Sequence, residues 1–182
     1  MVNTFSIVIP VYRNAESIPD LIAALSMVAH QAAHDFDYAT EVVFVVDGSP
    51  DKSHTLLAQA LPGAPFASQL LLHSRNFGSF SAIRTGLRAA RGEHFGIIAA
   101  DLQEPPDLVL RFLEKLRYGD CDVVLGCREN RRDPLLARSA SKLFWILYKK
   151  FVIHETPEKG VDVFGCNKVF RDQLLQFDEV NS

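Results

Sequence analysis

Short apolar runs rich in β-branched residues alternate with amphipathic helical patterns along this chain, and that alternation most constrains its fold. The predicted strands, in chain order, are residues 5–11, 41–46, 69–73, 95–100, 122–126 and 161–164. Because a helix between two strands returns the chain to the same end of a sheet, this order predicts parallel βαβ units. The predicted fold class is α/β, with a doubly wound, mostly parallel sheet. A capping box at residues 17–20, with proline in the first turn, predicts where the first helix begins.

Composition narrows the class of protein further. The 182 residues are 48% hydrophobic and 23% charged, which fits one globular domain and excludes a disordered chain. A net charge of −3 provides no overall basic field for nucleic acid, so no nucleic-acid partner is predicted. Three cysteines without paired CxxC spacing indicate a reducing, cytoplasmic compartment. No apolar run reaches the ~20 residues that a membrane span needs.

A polar cluster follows each of the first five predicted strands. The clusters contain Tyr12, Arg13, Asn14 and Glu16; Asp47, Gly48, Ser49 and Asp51; Arg75, Asn76, Phe77 and Gly78; Asp101, Gln103 and Glu104; and Arg128, Arg131 and Arg132. Ligands of open parallel sheets bind at the carboxyl ends of the strands. One such cluster could simply cap a helix, but five at one sheet edge predict a binding site.

The residue types in these clusters favour a phosphate-bearing ligand. Asp101 and Gln103 supply two oxygen ligands two residues apart, which suit Mg²⁺ or Mn²⁺ together with substrate phosphates. Arginines pair bidentately with phosphate. Neither a P-loop motif nor a GxGxxG motif is present. We therefore expect metal and arginine, rather than a glycine loop, to neutralise the phosphates.

Residues 128–160 form the least regular segment and the predicted interface of the chain. Basic residues outnumber acidic ones by seven to two between positions 128 and 150. Residues 134–153 are apolar around most of a helical circumference. Such a segment can lie on a membrane surface, pack against a second subunit in a homo-oligomer or belong to the core, and all three interpretations stay open.

Four strings of residues resemble the inverting glycosyltransferases of family 2, most closely the dolichol-phosphate-mannose-synthase-like and undecaprenyl-phosphate branch. They are residues 9–14 (IPVYRN), 46–51 (VDGSPD), 74–78 (SRNFG) and 100–106 (ADLQEPP). Residues 160–164 (GVDVF) resemble the stretch near that family's acceptor site. The resemblance implies a GT-A fold, a nucleotide-diphosphate sugar as donor and Mg²⁺ or Mn²⁺ as cofactor.

The resemblance also implies roles for individual residues. The implied donor-binding set is Pro10, Tyr12, Glu16, Asp47, Arg75, Asn76, Gly78 and Asp101, and the implied metal ligands are Asp101 and Gln103. Arg128, Arg131 and Arg132 would approach the acceptor or the leaving phosphates. The implied catalytic set is Asp101, Asp162, Arg128 and Arg131. Asp162 would act as a base if the acceptor is a sugar hydroxyl of a glycan, and would only position a lipid phosphate, which arrives ionised.

Two departures from the family pattern keep an alternative open. The family usually has Asp-Asp-Gly-Ser and Asp-x-Asp, but Val46 and Ala99 stand at the first aspartate of each. The alternative is a non-catalytic nucleotide-sugar-binding or scaffolding domain with a degenerate metal site. On the leading interpretation, residues 1–182 form one C-terminally truncated catalytic domain, with the acceptor side at 128–160 and a cytoplasmic location that is peripheral to the membrane.

Overall fold

A computed structural model of the chain describes residues 3–127 and 161–176, with the backbone alone for Cys127, Val161 and Asp162. The chain divides into two compact units, residues 1–125 with 163–182 and residues 126–162. Nearly all of the second unit lies outside the described residues, as does the predicted interface segment at 128–160 with its apolar residues 134–153. The division into one or more domains therefore stays a prediction.

Strands and helices alternate in the described residues as the sequence predicts. The strands are β1 (Asn3–Val11), β2 (Tyr38–Asp47), β3 (Ala67–His73), β4 (His94–Ile97), β5 (Val123–Cys127) and β6 (Val161–Asn167). The helices are α1 (Ile18–Phe36), α2 (Ser53–Ala60), α3 (Ser79–Ala89), α4 (Leu108–Leu116) and α5 (Lys168–Leu174), with a short 3₁₀ turn at Leu61–Gly63. The predicted β4 was too long, because the chain leaves the sheet after Ile97.

The six strands form one sheet in the order β3-β2-β1-β4-β6-β5. β1 lies at its centre, parallel to β2 from Asn3↔Tyr38 to Val11↔Val46 and parallel to β4 from Phe5↔His94 to Val8↔Ile97. β3 pairs in parallel with the outer side of β2. Four neighbouring strands therefore end at the same edge of the sheet, which confirms the mostly parallel α/β prediction.

The last strand departs from the parallel direction of the first four. β6 lies between β4 and β5 and runs antiparallel to β4, with Ile97 opposite Phe164 and His94 opposite Asn167. The backbone amide of Asn167 donates to the carbonyl oxygen of Asp122 just before β5, at 3.0 Å. An apolar run has the same pattern in either direction. The periodicity that located this strand therefore held no information about its direction.

Helices cover both faces of the sheet. In β1, Phe5, Ile7 and Ile9 pack on one face with α1, α2 and α4, while Val8 packs on the other face with α3 and α5. This division follows from the two-residue period of a strand, which sends successive side chains to opposite faces. Burial on both faces also explains why the central strands are almost continuously apolar.

The capping box predicted at residues 17–20 does not form. Ser17 has helical backbone angles and makes no side-chain cap to α1. Its hydroxyl donates instead to the carbonyl oxygens of Asn14, at 3.0 Å, and Ala100, at 2.8 Å. The second acceptor lies 83 positions away in the chain, so the hydroxyl joins two loops rather than capping the helix.

We expect Gly86→Leu to destabilise the protein strongly. A Cβ atom on Gly86 would lie 2.3 Å from Cγ1 of Val8, because α3 packs directly on β1. Overpacking of this kind costs about 1–3 kcal/mol, and a whole leucine should reach the upper end. The matched control is Gly63→Leu, since a Cβ there meets nothing within 4 Å. Urea unfolding of both variants measures the difference, and equal stabilities would contradict this packing.

Candidate functional site

The carboxyl ends of β3, β2, β1 and β4 lead into four loops that follow one another along the sheet edge. We name them by their strands: the β1 loop (residues 12–17), the β2 loop (48–52), the β3 loop (74–78) and the β4 loop (98–107). They contain four of the five polar clusters found in the sequence. Backbone amides that lie beyond the strand ladder need other partners, and side chains provide several of them here.

Asp47, the last residue of β2, holds the β3 loop. Its side chain is only 3% exposed. Oδ1 accepts a hydrogen bond from the backbone amide of Phe77 at 2.9 Å, and Oδ2 accepts one from that of Gly78 at 2.8 Å. Nδ1 of His73 lies 2.8 Å from Oδ1. Both carboxylate oxygens therefore have partners within the protein.

Gly48 lets the β2 and β3 loops approach each other. Its φ is +59°, a left-handed conformation that glycine adopts without steric cost. A Cβ atom at this position would lie 2.2 Å from the carbonyl carbon of Arg75 and 2.4 Å from the amide nitrogen of Asn76. Only glycine allows the two backbones to pass this closely.

Ser49 and Asp51 hold the β1 loop from the other side. The hydroxyl of Ser49 accepts from the amide of Arg13 at 2.8 Å and donates to Oδ1 of Asp51 at 2.7 Å. Oδ2 of Asp51 accepts from the amide of Ala15 at 3.0 Å. Burial alone would raise the pKa of Asp51, but hydrogen bonds from Ser49, Ser53 and the backbone outweigh it and lower the pKa to about 2.

The β4 loop presents an exposed carboxylate. Oδ1 of Asp101 accepts from the amide of Gln103 at 3.2 Å, and Oδ2 accepts from its side-chain amide at 2.7 Å. Leu102 between them has φ +58°, a conformation that costs a non-glycine residue about 1 kcal/mol. Ser17 joins this loop to the β1 loop through the carbonyl oxygen of Ala100.

The donor set of this loop fits a hard cation that brings further ligands with it. Asp101 has carboxylate oxygens and Gln103 an amide oxygen, which is the oxygen chemistry that Mg²⁺ and Mn²⁺ take. The side-chain nitrogen of Gln103 faces Oδ2 of Asp101, so this amide would have to turn to present its oxygen to the same cation. In residues 3–127 and 161–176, no group of three or more His, Cys, Asp or Glu side chains is placed to hold a metal ion. Phosphate and water oxygens would therefore have to complete the shell.

Two arginines stack on aromatic rings at this edge. The guanidinium of Arg13 lies 5.3 Å from the ring centre of Tyr12, and that of Arg75 lies 4.8 Å from the ring centre of Phe77. Stacking leaves the N–H groups of a guanidinium pointing outward, where they can bind an anion. The sequence placed Arg13 in a predicted polar cluster but indicated no individual role for it. Its position directly after the aromatic Tyr12 was the signal that could have predicted the stacking.

The structure brings most of the predicted site residues to this edge. Those on the four loops or at the ends of their strands are Pro10, Tyr12, Glu16, Asp47, Arg75, Asn76, Gly78, Asp101 and Gln103. Asp162 lies in β6, but its side chain is outside the described residues, as are Arg128, Arg131 and Arg132. Val46 is fully buried between Val11 and Leu72, its partners in register, and Ala99 is half-buried.

Comparison with known sequences decides the family. The sequence profile of the family described as Glycosyl transferase family 2 matches residues 6–177. The chain belongs to this family. Undecaprenyl-phosphate 4-deoxy-4-formamido-L-arabinose transferases of Salmonella choleraesuis and Salmonella newport are 35% identical to this family 2 chain over 161 residues, which is 88% of this chain and 46% of each relative. The chain thus spans about half the length of the curated relatives it matches.

Solved structures confirm the fold of this family 2 chain. The mannosyltransferase PcManGT from Pyrobaculum calidifontis, in complex with GDP-Man and Mn²⁺, superposes with a TM-score of 0.65 at 21% identity, covering 96% of this chain and 47% of that one. Glucosyl-3-phosphoglycerate synthase from Mycobacterium tuberculosis gives a TM-score of 0.62 at 17% identity, covering 94% and 58%. The predicted GT-A fold is therefore confirmed. Of the helices within residues 3–127 and 161–176, none has the length and apolar character that a bilayer crossing requires.

We expect Asp51→Asn to reduce stability in a pH-dependent way. The folded-state pKa is about 2, below the ordinary value of 3.8. The carboxylate therefore stabilises the fold above pH 4, and this contribution is lost as the pH falls through about 2. The variant should lose about 1–2 kcal/mol at pH 7 and approach the parent protein as the pH falls through about 2. The control is Asp120→Asn, an exposed acid. A pH-independent difference in urea unfolding would show that the charge of Asp51 is unimportant.

Proposed function

We propose that this chain transfers a sugar from a nucleotide-diphosphate sugar to an acceptor, with inversion at the anomeric carbon. The observation that carries the proposal is the series of hydrogen bonds that joins all four loops at one sheet edge. Asp47 holds the β3 loop, Ser49 and Asp51 hold the β1 loop, and Ser17 holds the β4 loop. The family's motif residues thereby come together on loops that share partners.

The donor would lie across this edge. Pro10, Tyr12 and Glu16 are proposed around the base and ribose, on the β1 side. Arg75 and Asn76 are proposed beside the diphosphate. Gly78 lies directly before α3 with φ +91°, and its lack of a side chain would let the donor approach the start of the helix. The fold supports this placement, since parallel α/β sheets bind nucleotides outside the carboxyl ends of their strands.

Asp101 and Gln103 are proposed as the protein's ligands to Mg²⁺ or Mn²⁺. When bound, such a cation neutralises charge on the diphosphate leaving group. Because position 99 is alanine, the proposed metal site has a single carboxylate. One carboxylate binds a divalent cation only weakly on its own. We therefore propose that cation and nucleotide bind together. The arginines of the β1 and β3 loops would contribute further positive charge to the same phosphates.

A polyprenyl phosphate is the proposed acceptor, in keeping with the names of the undecaprenyl-phosphate relatives. A phosphomonoester is already ionised near neutral pH, since its second pKa is about 6. It needs no general base, so Asp162 would position the acceptor. Arg128, Arg131 and Arg132 are proposed to hold the acceptor or leaving phosphates, and the apolar residues 134–153 to lie at a membrane surface.

The first prediction here concerns the donor. UDP, GDP, CDP and TDP are titrated calorimetrically, and we expect at least one to bind more tightly with Mn²⁺ than without it. Asp101→Ala should remove this dependence on the cation and abolish sugar transfer, because it deletes the one carboxylate in the proposed metal site. Asp107→Ala, an exposed acid of the same loop, is the matched control and should change neither. Nucleotide binding without transfer in the parent protein would favour a non-catalytic binding domain, and no binding at all would contradict the donor site.

The second prediction concerns the acceptor. The protein should float with liposomes that contain anionic lipid, and Arg131→Ala with Arg132→Ala should reduce flotation, since each basic residue near such a surface contributes about 1 kcal/mol. Asp162→Asn should keep most of its transfer to a polyprenyl phosphate, because no proton has to be removed. Inactivity of Asp162→Asn toward a soluble glycan acceptor, in a parent protein that does not float, would instead identify a sugar hydroxyl as the acceptor.

A further inference from the structure

We propose that His73 is a positioning residue of the donor site, which acts through Asp47 and Phe77 on the β3 loop. This inference rests on the proposed donor site, and it assigns a task to a side chain that neither the family motifs nor the proposed chemistry uses. His73 is the last residue of β3 and pairs in register with Asp47. Its side chain is 14% exposed.

Both ring nitrogens of His73 have partners. Nδ1 lies 2.8 Å from Oδ1 of Asp47, and Nε2 lies 2.9 Å from the hydroxyl oxygen of Thr85 in α3. A carboxylate oxygen can only accept, so Nδ1 carries the proton that it shares with Asp47. The ring therefore connects a strand-end carboxylate to a helix and is held at two points.

This ring completes the environment of a buried carboxylate. The side chain of Asp47 has no arginine or lysine partner among the described contacts, and its donors are the amides of Phe77 and Gly78 and the ring of His73. A buried charge is stable only when hydrogen bonds replace its lost hydration. Without His73 the carboxylate keeps only the two loop amides and loses its connection to α3. In a variant that lacks His73, we therefore expect the Asp47 carboxylate and the β3 loop to become more mobile together.

A second contact links His73 to the loop from the side. Its ring lies edge-on to the ring of Phe77, with centroids 5.5 Å apart and planes at 90°. The guanidinium of Arg75 lies 4.8 Å from the centre of the same Phe77 ring. Thr85, His73, Phe77 and Arg75 thus form a continuous series from α3 to the exposed loop. The position of the Arg75 guanidinium, which the proposed function places beside the diphosphate, depends on this series.

Three variants separate the contacts of His73. His73→Phe keeps an aromatic ring against Phe77 and removes both hydrogen bonds. His73→Asn keeps a donor close to the place of Nδ1 and loses the contact to Thr85. Thr85→Val removes the hydroxyl with little change of shape. His30→Phe, at an exposed position of α1, is the control.

Two measurements report on the loop itself. The first is the hydrogen exchange of the Phe77 and Gly78 amides, compared with amides in the centre of β1. The second is the affinity for the nucleoside diphosphate, among UDP, GDP, CDP and TDP, that the parent protein binds with Mn²⁺. We expect His73→Phe to accelerate exchange at both loop amides, with the β1 amides unchanged, and to weaken nucleotide affinity roughly tenfold, the loss of one charge-assisted hydrogen bond. His73→Asn keeps a donor to Asp47 but loses the ring against Phe77 and the contact to Thr85, so both values should lie between those of the parent protein and of His73→Phe.

The outcomes distinguish positioning from a purely structural role. A lower melting temperature of His73→Phe with unchanged loop exchange and unchanged affinity overturns the proposal. If His73→Phe does not fold, Thr85→Val decides, since faster loop exchange and weaker affinity support the proposal and parent-like values overturn it. If the parent protein binds none of the four nucleotides, the proposed function fails, and the exchange of Phe77 and Gly78 still determines whether His73 orders the loop.

Discussion

Side-chain oxygens of the β2 strand end and loop satisfy backbone amides of the loops on either side, and the arrangement of the whole sheet edge depends on these hydrogen bonds. Asp47 serves the β3 loop, whereas Ser49 and Asp51 serve the β1 loop. Loop amides at strand ends have no ladder partners, and burying them unpaired costs free energy. A short polar segment can therefore fix the positions of much longer pieces of chain. Gly48 contributes to the same arrangement because it has no side chain, which leaves room for the backbone of the β3 loop.

This arrangement explains which aspartates of the family motif can be replaced by other residues without loss of the loop contacts. Val46 is packed in the core between neighbouring strands, so the fold at this position requires only an apolar side chain. Asp47 one position later has both oxygens engaged by the β3 loop. The two positions alternate in direction because they are neighbours in a strand. Loss of a carboxylate at position 46 therefore leaves the loop contacts intact, while loss at position 47 would not.

Local patterns in the sequence were enough to predict the layers and the edge at which the site lies. The polar clusters after the first four strands did come together, because parallel strands end on the same side. The direction of β6 could not be predicted, since its apolar pattern is the same in both directions. The parts played by Ser17, Asp51 and His73 were also missed. Each depends on a partner that becomes a neighbour only through the sheet order, such as the carbonyl of Ala100 for Ser17.

The hydrogen bond from Ser17 to Ala100 has a consequence for synthesis of the chain. It joins residues 83 positions apart, across the boundary between β1 and β4. A nascent chain cannot close it until about a hundred residues have left the ribosome and β4 has paired with β1. The loops of β1, β2 and β3 can reach their mutual contacts earlier, since their strands are complete by His73. The β1, β2 and β3 loops can therefore be organised before the carboxylate of Asp101 arrives.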